Sequence, residues 1–196
     1  MGGVAVTRPK TLGSMAMAAA VLGVIAFVLM FLYGNASFAP VGPSEGQAPT
    51  ADVDGGLTRA APLVDFPVVI PKELPDDWHP NSFSFTAAPG TTDAPAAVRA
   101  GWLTEQGRFI TVVQSGGTVD QVQQAELGLV GRATGQVQVD GVTWTEVPGR
   151  RAEVAWLRTE GDVTDLITGS ASAEDFQKLA TAVANGTPAP PAPHPR

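Results

Sequence analysis

Few side chains in this sequence have the chemistry that an enzyme needs. Its 196 residues include no cysteine and only two histidines, His79 and His194. The absence of cysteine excludes thiolate catalysis, disulfides and cysteine-ligated zinc. A serine–histidine–aspartate triad would need His79, and residues 63–185, where we predict the folded domain, contain no G-x-S-x-G turn for the serine. We therefore expect no catalytic residue and no enzymatic activity.

Two polar arrangements are weaker candidates for a site. Ser115-Gly116-Gly117 precedes a predicted helix, where free N–H groups can hold an anion. This stretch lacks the lysine of a phosphate loop, and a helix-capping turn explains it better. Asp162 and Asp165 either act as paired carboxylates or cation ligands, or form the polar end of a hairpin. No haem or nicotinamide fingerprint is present, so we predict neither a cofactor nor a metal.

A candidate surface for a partner or ligand lies in the stretch IPKELPDDWHPNS, residues 70–82. It places Trp78 beside His79, Asp76 and Asp77. Its prolines oppose a helix or an inner strand. One interpretation is an extended latch that Trp78 pins across the sheet by packing. The alternative is an exposed site for a partner or ligand.

Three further tryptophans belong to the same candidate surface. Trp102, Trp144 and Trp156 each lie in the middle of a predicted strand. Large rings in a small domain normally fill its core, but rings that line a ligand cleft would show the same sequence pattern. Both interpretations stay open at the level of sequence.

Hydrophobic periodicity predicts the elements that position these residues. Strands are predicted over residues 82–87, 97–104, 108–115, the two arms of 136–147, 152–159 and 163–170, and helices over 118–130 and 172–183. Asp140-Gly141 marks a tight hairpin turn. The order β-β-β-α-β-β-β-β-α predicts an α+β fold, with an antiparallel sheet of about six or seven strands and two helices packed on one face.

The two predicted helices have recognisable caps and apolar stripes. Thr118 and Gln121 are spaced as a capping box, and Ser172 is expected to cap the second helix. The buried stripe of the first helix is predicted to contain Val119, Val122, Leu129 and Val130, and that of the second Phe176, Leu179, Ala180 and Val183.

A transmembrane helix is predicted over residues 14–34. From Met15 to Tyr33 the sequence reads MAMAAAVLGVIAFVLMFLY, without a charged residue, and it is long enough for a bilayer. Arg8 and Lys10 precede this segment, and the first charge after it is Glu45. The positive-inside rule therefore places residues 1–13 in the cytoplasm and the rest of the chain outside the cell (inner) membrane.

Cleavage of this segment as a signal peptide is the alternative. The best cleavage pattern, Ser37-Phe38-Ala39, is followed by Pro40, which hinders cleavage. Because the apolar region is also longer than a signal peptide needs, we predict an uncleaved signal anchor.

Composition divides the rest of the chain into linker, domain and tail. Residues 35–62, rich in proline, glycine and alanine, are predicted to be a flexible linker, and 186–196 a proline-rich disordered tail. The domain between them, residues 63–185, has 8 basic and 16 acidic residues and thus a net charge of −8. This charge argues against nucleic acid as a partner.

Several motifs in register resemble a known family. They are Leu74-Pro75 with Trp78, Pro80 and Ser82; Gly101 and Thr104 with Gly107 and Phe109; and the turn and acidic helix from Gly169 to Leu179. Over residues 67–183 the chain resembles an uncharacterised actinobacterial family of single-pass membrane proteins with one extracytoplasmic domain of unknown function. This resemblance implies a fold and a location, and it implies no catalytic residue.

Two functions are consistent with these features. The first is a membrane-anchored extracytoplasmic interaction or accessory protein of the cell envelope, which associates with a membrane protein complex. The second is a carrier or sensor of an apolar, lipid-like ligand held between sheet and helices. An open cavity would favour the carrier, whereas a filled core with an exposed apolar patch would favour the accessory protein.

Overall fold

The computed structural model describes residues 49–87 and 94–190 of the protein. The predicted transmembrane helix, residues 14–34, and the histidine of the tail lie outside these residues. Within them, no helix has the length and apolar composition needed to cross a membrane. The described part of the chain is an α+β domain, as predicted.

The described residues form three α-helices and nine strands. The helices are α1 (Val53–Ala60), α2 (Val119–Leu127) and α3 (Ala173–Ala184). The strands are β1 (Val69–Ile70), β2 (His79–Thr86), β3 (Ala97–Leu103), β4 (Phe109–Ser115), β5 (Gly135–Val139), β6 (Val142–Pro148), β7 (Val154–Glu160), β8 (Val163–Gly169) and β9 (Thr187–Pro188). Two short 3-10 turns, Ala61–Leu63 and Arg150–Ala152, complete the fold.

Seven of the strands form one antiparallel sheet in the order β2-β3-β4-β8-β7-β6-β5, and β1 pairs separately with β9. Hairpins join β3 to β4 and link β5, β6, β7 and β8 in succession, whereas β4 and β8 are neighbours separated in the chain by α2 and β5–β7. The hairpin between β5 and β6 turns at Asp140 and Gly141, as predicted. Both turn residues have positive φ, 49° and 81°, which the tight turn requires. The order along the chain predicted for these seven strands and for α2 and α3 is confirmed, whereas α1, β1 and β9 were not predicted.

The sheet has two chemically different faces, because successive residues of a strand point to opposite sides. One face, here called the aromatic face, carries Trp102, Trp144, Trp156, Ile110 and Ile167. The other, here called the aliphatic face, carries Ala97, Val113, Ala155, Leu157 and Leu166. Each set belongs to its own cluster of buried residues.

The helices divide between these faces, so the prediction of two helices on one face is wrong. Phe176 and Leu179 of α3 join the cluster of the aromatic face. Val122 and Leu127 of α2 join the cluster of the aliphatic face. An apolar stripe shows which side of a helix is buried, but it carries no information about which side of the sheet receives it.

Helix α1 begins the folded domain earlier than predicted, inside the segment 35–62 assigned to a flexible linker. Its sequence VDGGLTRA contains two glycines, which weaken any helix signal. Two features compensate: the Asp52 side chain accepts the N–H of Gly55 at 3.0 Å, and Leu57 is fully buried. At Gly56 an added Cβ would lie 2.6 Å from the ring of Phe83, so glycine allows close packing on β2.

Helix α2 is shorter than predicted. The capping box of Thr118 and Gln121 is present, but Gly128, with φ 75°, ends the helix in the left-handed conformation. Leu129 and Val130, predicted to lie on its buried stripe, follow this end and are 40% and 51% exposed. Helix α3 has the predicted Ser172 cap and buried stripe.

Candidate functional site

The segment around Trp78 packs as a latch. Trp78 is only 7% exposed and lies in the cluster of the aromatic face, and its backbone N–H donates to the carbonyl of Pro75. Asp76 and Asp77 are exposed. His79 begins β2, and its Nε2 atom lies 3.0 Å from the hydroxyl oxygen of Thr50. The latch interpretation of this segment therefore fits the structure.

The other three tryptophans fill the core instead of lining a cleft. Trp102, Trp144 and Trp156 are 2%, 0% and 3% exposed. Trp156 packs edge-to-face on Phe176 of α3, with ring centroids 5.2 Å apart. Of the seven residues assigned to the candidate surface, all four tryptophans are buried, so the seven do not form one accessible surface.

A buried ion pair lies beside the tryptophan core. Arg158 of β7 and Asp165 of β8 are directly opposite each other in the sheet, and the Nε atom of Arg158 donates to Asp165 Oδ2 at 2.8 Å. The guanidinium carbon is 5.0 Å from the ring centre of Trp144, a cation–π geometry. Arg158 also lies 3.3 Å from Glu160 at the exposed end of the strand.

Burial dominates the electrostatics of this pair. Loss of hydration raises the pKa of Asp165, while the Arg158 guanidinium opposes the shift. The hypothesis that Asp165 acts with Asp162 as paired carboxylates therefore finds no geometric support, since the partner of Asp165 is Arg158. The sequence offered a signal for this pair, because Arg158 and Asp165 are charged residues at inward-facing positions of two successive strands.

A cavity of about 320 Å³, here called the ion-pair cavity, adjoins Arg158 and Asp165. Gln114 of β4 also lines it. The Gln114 side-chain amide accepts the N–H of Val69 and donates to its carbonyl, both at 2.7 Å. Gln114 thus fastens β1 to the sheet, a role that sequence reasoning missed.

The Ser115–Gly117 stretch is a helix-capping turn. The Ser115 hydroxyl donates to the carbonyl of Ala96 at 2.6 Å and accepts the N–H of Gly117 at 3.1 Å. The carbonyl of Gly117 accepts from the hydroxyl of Thr164 at 2.8 Å. With these groups engaged inside the protein, the turn offers no free serine hydroxyl for chemistry.

An apolar groove of about 470 Å³ runs along α2. Its apolar walls come from Ala94, Pro95, Ala125 and Val130, and Asp120, Gln121 and Gln124 of α2 complete the lining. The neighbouring Leu129 is 40% exposed. Sequence reasoning missed this surface because it placed Leu129 and Val130 inside the helix; Gly128 was the available signal for the helix end.

The tryptophan core, the ion pair and the apolar groove differ in their exposure. The tryptophan core is closed, Arg158 and Asp165 are paired across two neighbouring strands, and most side chains of the apolar groove are exposed. An exposed apolar surface with a polar rim is typical of a protein–protein contact.

Comparison with known proteins identifies the family of this chain and no activity. No curated protein and no solved structure matches the chain. One family model matches residues 8–183, and its description is "Protein of unknown function (DUF4245)". Because this match covers most of the chain, the chain belongs to the family of unknown function DUF4245.

Proposed function

We propose that the protein is a membrane-anchored, extracytoplasmic interaction or accessory protein of the cell envelope, which associates with a membrane protein complex. The observation that carries this proposal is the contrast between a filled tryptophan core and an open apolar groove on α2. A carrier of an apolar ligand would instead need an internal apolar cavity.

The groove also indicates the chemistry of the partner. Its walls are apolar, and Asp120 lies at its rim in a domain whose predicted net charge is −8. The matching partner surface presents an apolar side chain with a basic residue close to it, because opposite charges steer association and apolar burial provides affinity.

Anchoring follows from the sequence. Residues 15–33 are uncharged and long enough to span a bilayer, and Arg8 and Lys10 precede them. Such an anchor restricts the domain to the membrane surface, which raises its effective concentration near membrane partners. The combination of an anchor and a docking groove supports an accessory role in an envelope complex of actinobacteria.

The ion-pair cavity gives the carrier hypothesis little support. Apolar side chains such as Val69, Val163 and Val183 line it together with the charged Arg158, Asp165 and Glu160. An apolar ligand that filled it would also desolvate these three charges at a cost. We therefore favour association with a protein.

The test is affinity purification of the C-terminally tagged full chain from native membranes in mild detergent. We expect a stoichiometric set of membrane proteins to co-purify with the native chain. The Val130→Asp variant, which puts a charge in the groove, should lose these proteins. Val154→Asp is the matched control, because Val154 is also an exposed valine, 42% against 51% for Val130, and lies outside the groove. A chain that purifies alone with a defined lipid would contradict the proposal and favour the carrier.

A further inference from the structure

The two edges of the seven-stranded sheet differ in how they are protected. β2 forms one edge and β5 the other. An exposed sheet edge offers free backbone N–H and C=O groups to another strand, so proteins normally block it with proline, bulges, charges or covering segments.

The β2 edge is blocked in several of these ways. It contains Pro80, and its register shifts between Pro80 and Ser82 as a bulge. The preceding segment also bonds to it: Ala51 N–H donates to the carbonyl of Pro80 at 3.0 Å, and the Asn81 side chain donates to the carbonyl of Pro49 at 3.2 Å.

The β5 edge is less protected within the described residues, and an irregularity lies at its start, where the Thr134 N–H donates to the carbonyl of Glu146, the residue opposite Gly135. Residues 133–139 contain no proline and no charged side chain. Gln136 and Gln138 are exposed, and no described strand pairs with the outer side of β5. This edge therefore presents an unblocked strand to solvent.

The turn geometry determines which backbone groups are free. Because Asp140 and Gly141 form a two-residue loop, Val139 and Val142 are the hydrogen-bonded pair beside it, and bonding alternates along the ladder. Gln136 and Gln138 consequently direct their backbone N–H and C=O groups away from β6, toward any strand that is added.

We propose that the β5 edge pairs antiparallel with β5 of a second copy of this chain, which joins the two sheets into one. In the register that satisfies all the free groups, Gln136 lies opposite Gln138 of the second copy. Val137 then faces Val137 of the second copy across the two-fold axis. This proposal does not depend on the apolar groove, which lies along α2.

Self-pairing is favoured over another partner because the strand is complementary to itself. Glutamine amides meet glutamine amides on one side of the ribbon and valines meet valines on the other, so no like charges are opposed. The flanks have opposite charge, Arg132 before the strand and Asp140 after it. An antiparallel copy brings Arg132 of one chain toward Asp140 of the other, whereas a parallel copy would bring residues of like charge together.

The absence of cysteine from the chain provides a direct test of the register. In the full chain purified in mild detergent, we expect Val137→Cys to form a disulfide-linked dimer on oxidation, because residues at a non-hydrogen-bonded pair approach most closely. Ser84→Cys, on the exposed part of the blocked β2 edge, is the matched control and should stay unlinked.

Light scattering of the same full chain provides the second test. We expect twice the mass of one chain, and the double variant Gln136→Lys/Gln138→Lys should weaken self-association by about tenfold or more. Ser84→Lys/Gln106→Lys adds the same charge elsewhere and should leave the dimer intact. Circular dichroism checks folding, and Gln138→Lys alone replaces the double variant if the latter unfolds.

Both results are required. A monomer at about 100 µM, well above the concentrations at which specific dimers form, would overturn the proposal. A dimer without the Val137→Cys cross-link, or one that the lysines leave unchanged, would also overturn it, since its interface would lie elsewhere. A different co-purifying protein that the lysines remove would assign the edge to another partner's strand and overturn it too.

Discussion

The two faces of the sheet are covered to very different extents. On the aromatic face, α1, α3 and the latch around Trp78 close over the tryptophans. On the aliphatic face, the short helix α2 supplies Val122 and Leu127, and an apolar groove stays open beside it. Both described ends of the chain also lie on the aromatic side, since α1 and the residues around β1 and β9 pack there. Within the described residues, the aromatic face therefore holds the larger buried core, while the aliphatic face keeps an exposed apolar surface.

The largest expected effect comes from removing the centre of the aromatic face. Trp144→Ala should lower the free energy of unfolding by about 3–5 kcal/mol, because it leaves a large cavity among fully buried neighbours. Val122→Ala on the aliphatic face should cost about 1–2 kcal/mol. Urea unfolding of both variants measures the contrast, and equal losses would show that the two faces contribute alike.

Removing one member of the ion pair tests the polar part of the aromatic face. Asp165→Ala should destabilise the domain by about 3–5 kcal/mol, because it removes the buried partner of Arg158 and leaves only the exposed Glu160 near that buried charge. The double variant Arg158→Met/Asp165→Leu should be close to neutral, since it removes both desolvated charges. If the double variant is as unstable as Asp165→Ala, the intact ion pair stabilises the fold more than apolar side chains in its place do.

The pH dependence follows from the raised pKa of Asp165. A carboxyl group whose pKa is higher in the folded than in the unfolded state binds protons more tightly when folded. Its contribution to stability is therefore complete below the ordinary value of 3.8 and is lost as the pH rises through the folded pKa. As the pH rises over this range, we expect the melting temperature of the native chain to fall relative to that of the Asp165→Asn variant. A rise instead would mean that attraction to Arg158 exceeds the effect of burial.

The smallest expected effects come from the helix caps, one on each face. Ser172→Ala removes the acceptor of the Asp175 N–H at the start of α3, and Thr118→Ala removes that of the Gln121 N–H at α2. Each should cost about 1 kcal/mol. Hydrogen exchange should show the local opening confined to α3 in the first variant and to α2 in the second. Opening that spreads across both helices would show that the faces unfold together.

Much of the secondary structure was predictable, because its causes are local. The Asp140-Gly141 turn, the Ser172 cap and the alternation along the strands depend on neighbouring residues, and the structure confirms them. Helix α1 was not predictable in this way, since its two glycines oppose a helix and packing against Phe83 outweighs them.

The candidate site was less predictable than the fold. Trp144 is recognisable in the sequence as a large apolar residue in a strand, but whether it fills a core or lines a cleft depends on what α3 and α1 cover. Gln114 shows the same limit, because its hydrogen bonds join it to Val69, far away in the chain. Contacts of this kind leave no periodic signal in sequence.

By itself, the sequence determined the order of the seven strands of the main sheet and of α2 and α3, the Asp140-Gly141 turn and the caps, since each follows from short-range sterics, hydrogen bonding or periodicity. The membrane anchor stays a prediction from hydrophobicity. Only the tertiary structure decided that α2 and α3 lie on opposite faces, that Arg158 meets Asp165 inside the protein, and that no described strand pairs with the outer side of β5. These features arise when residues distant in the chain compete to exclude water from the same surfaces, and that competition is settled only once the whole domain has folded.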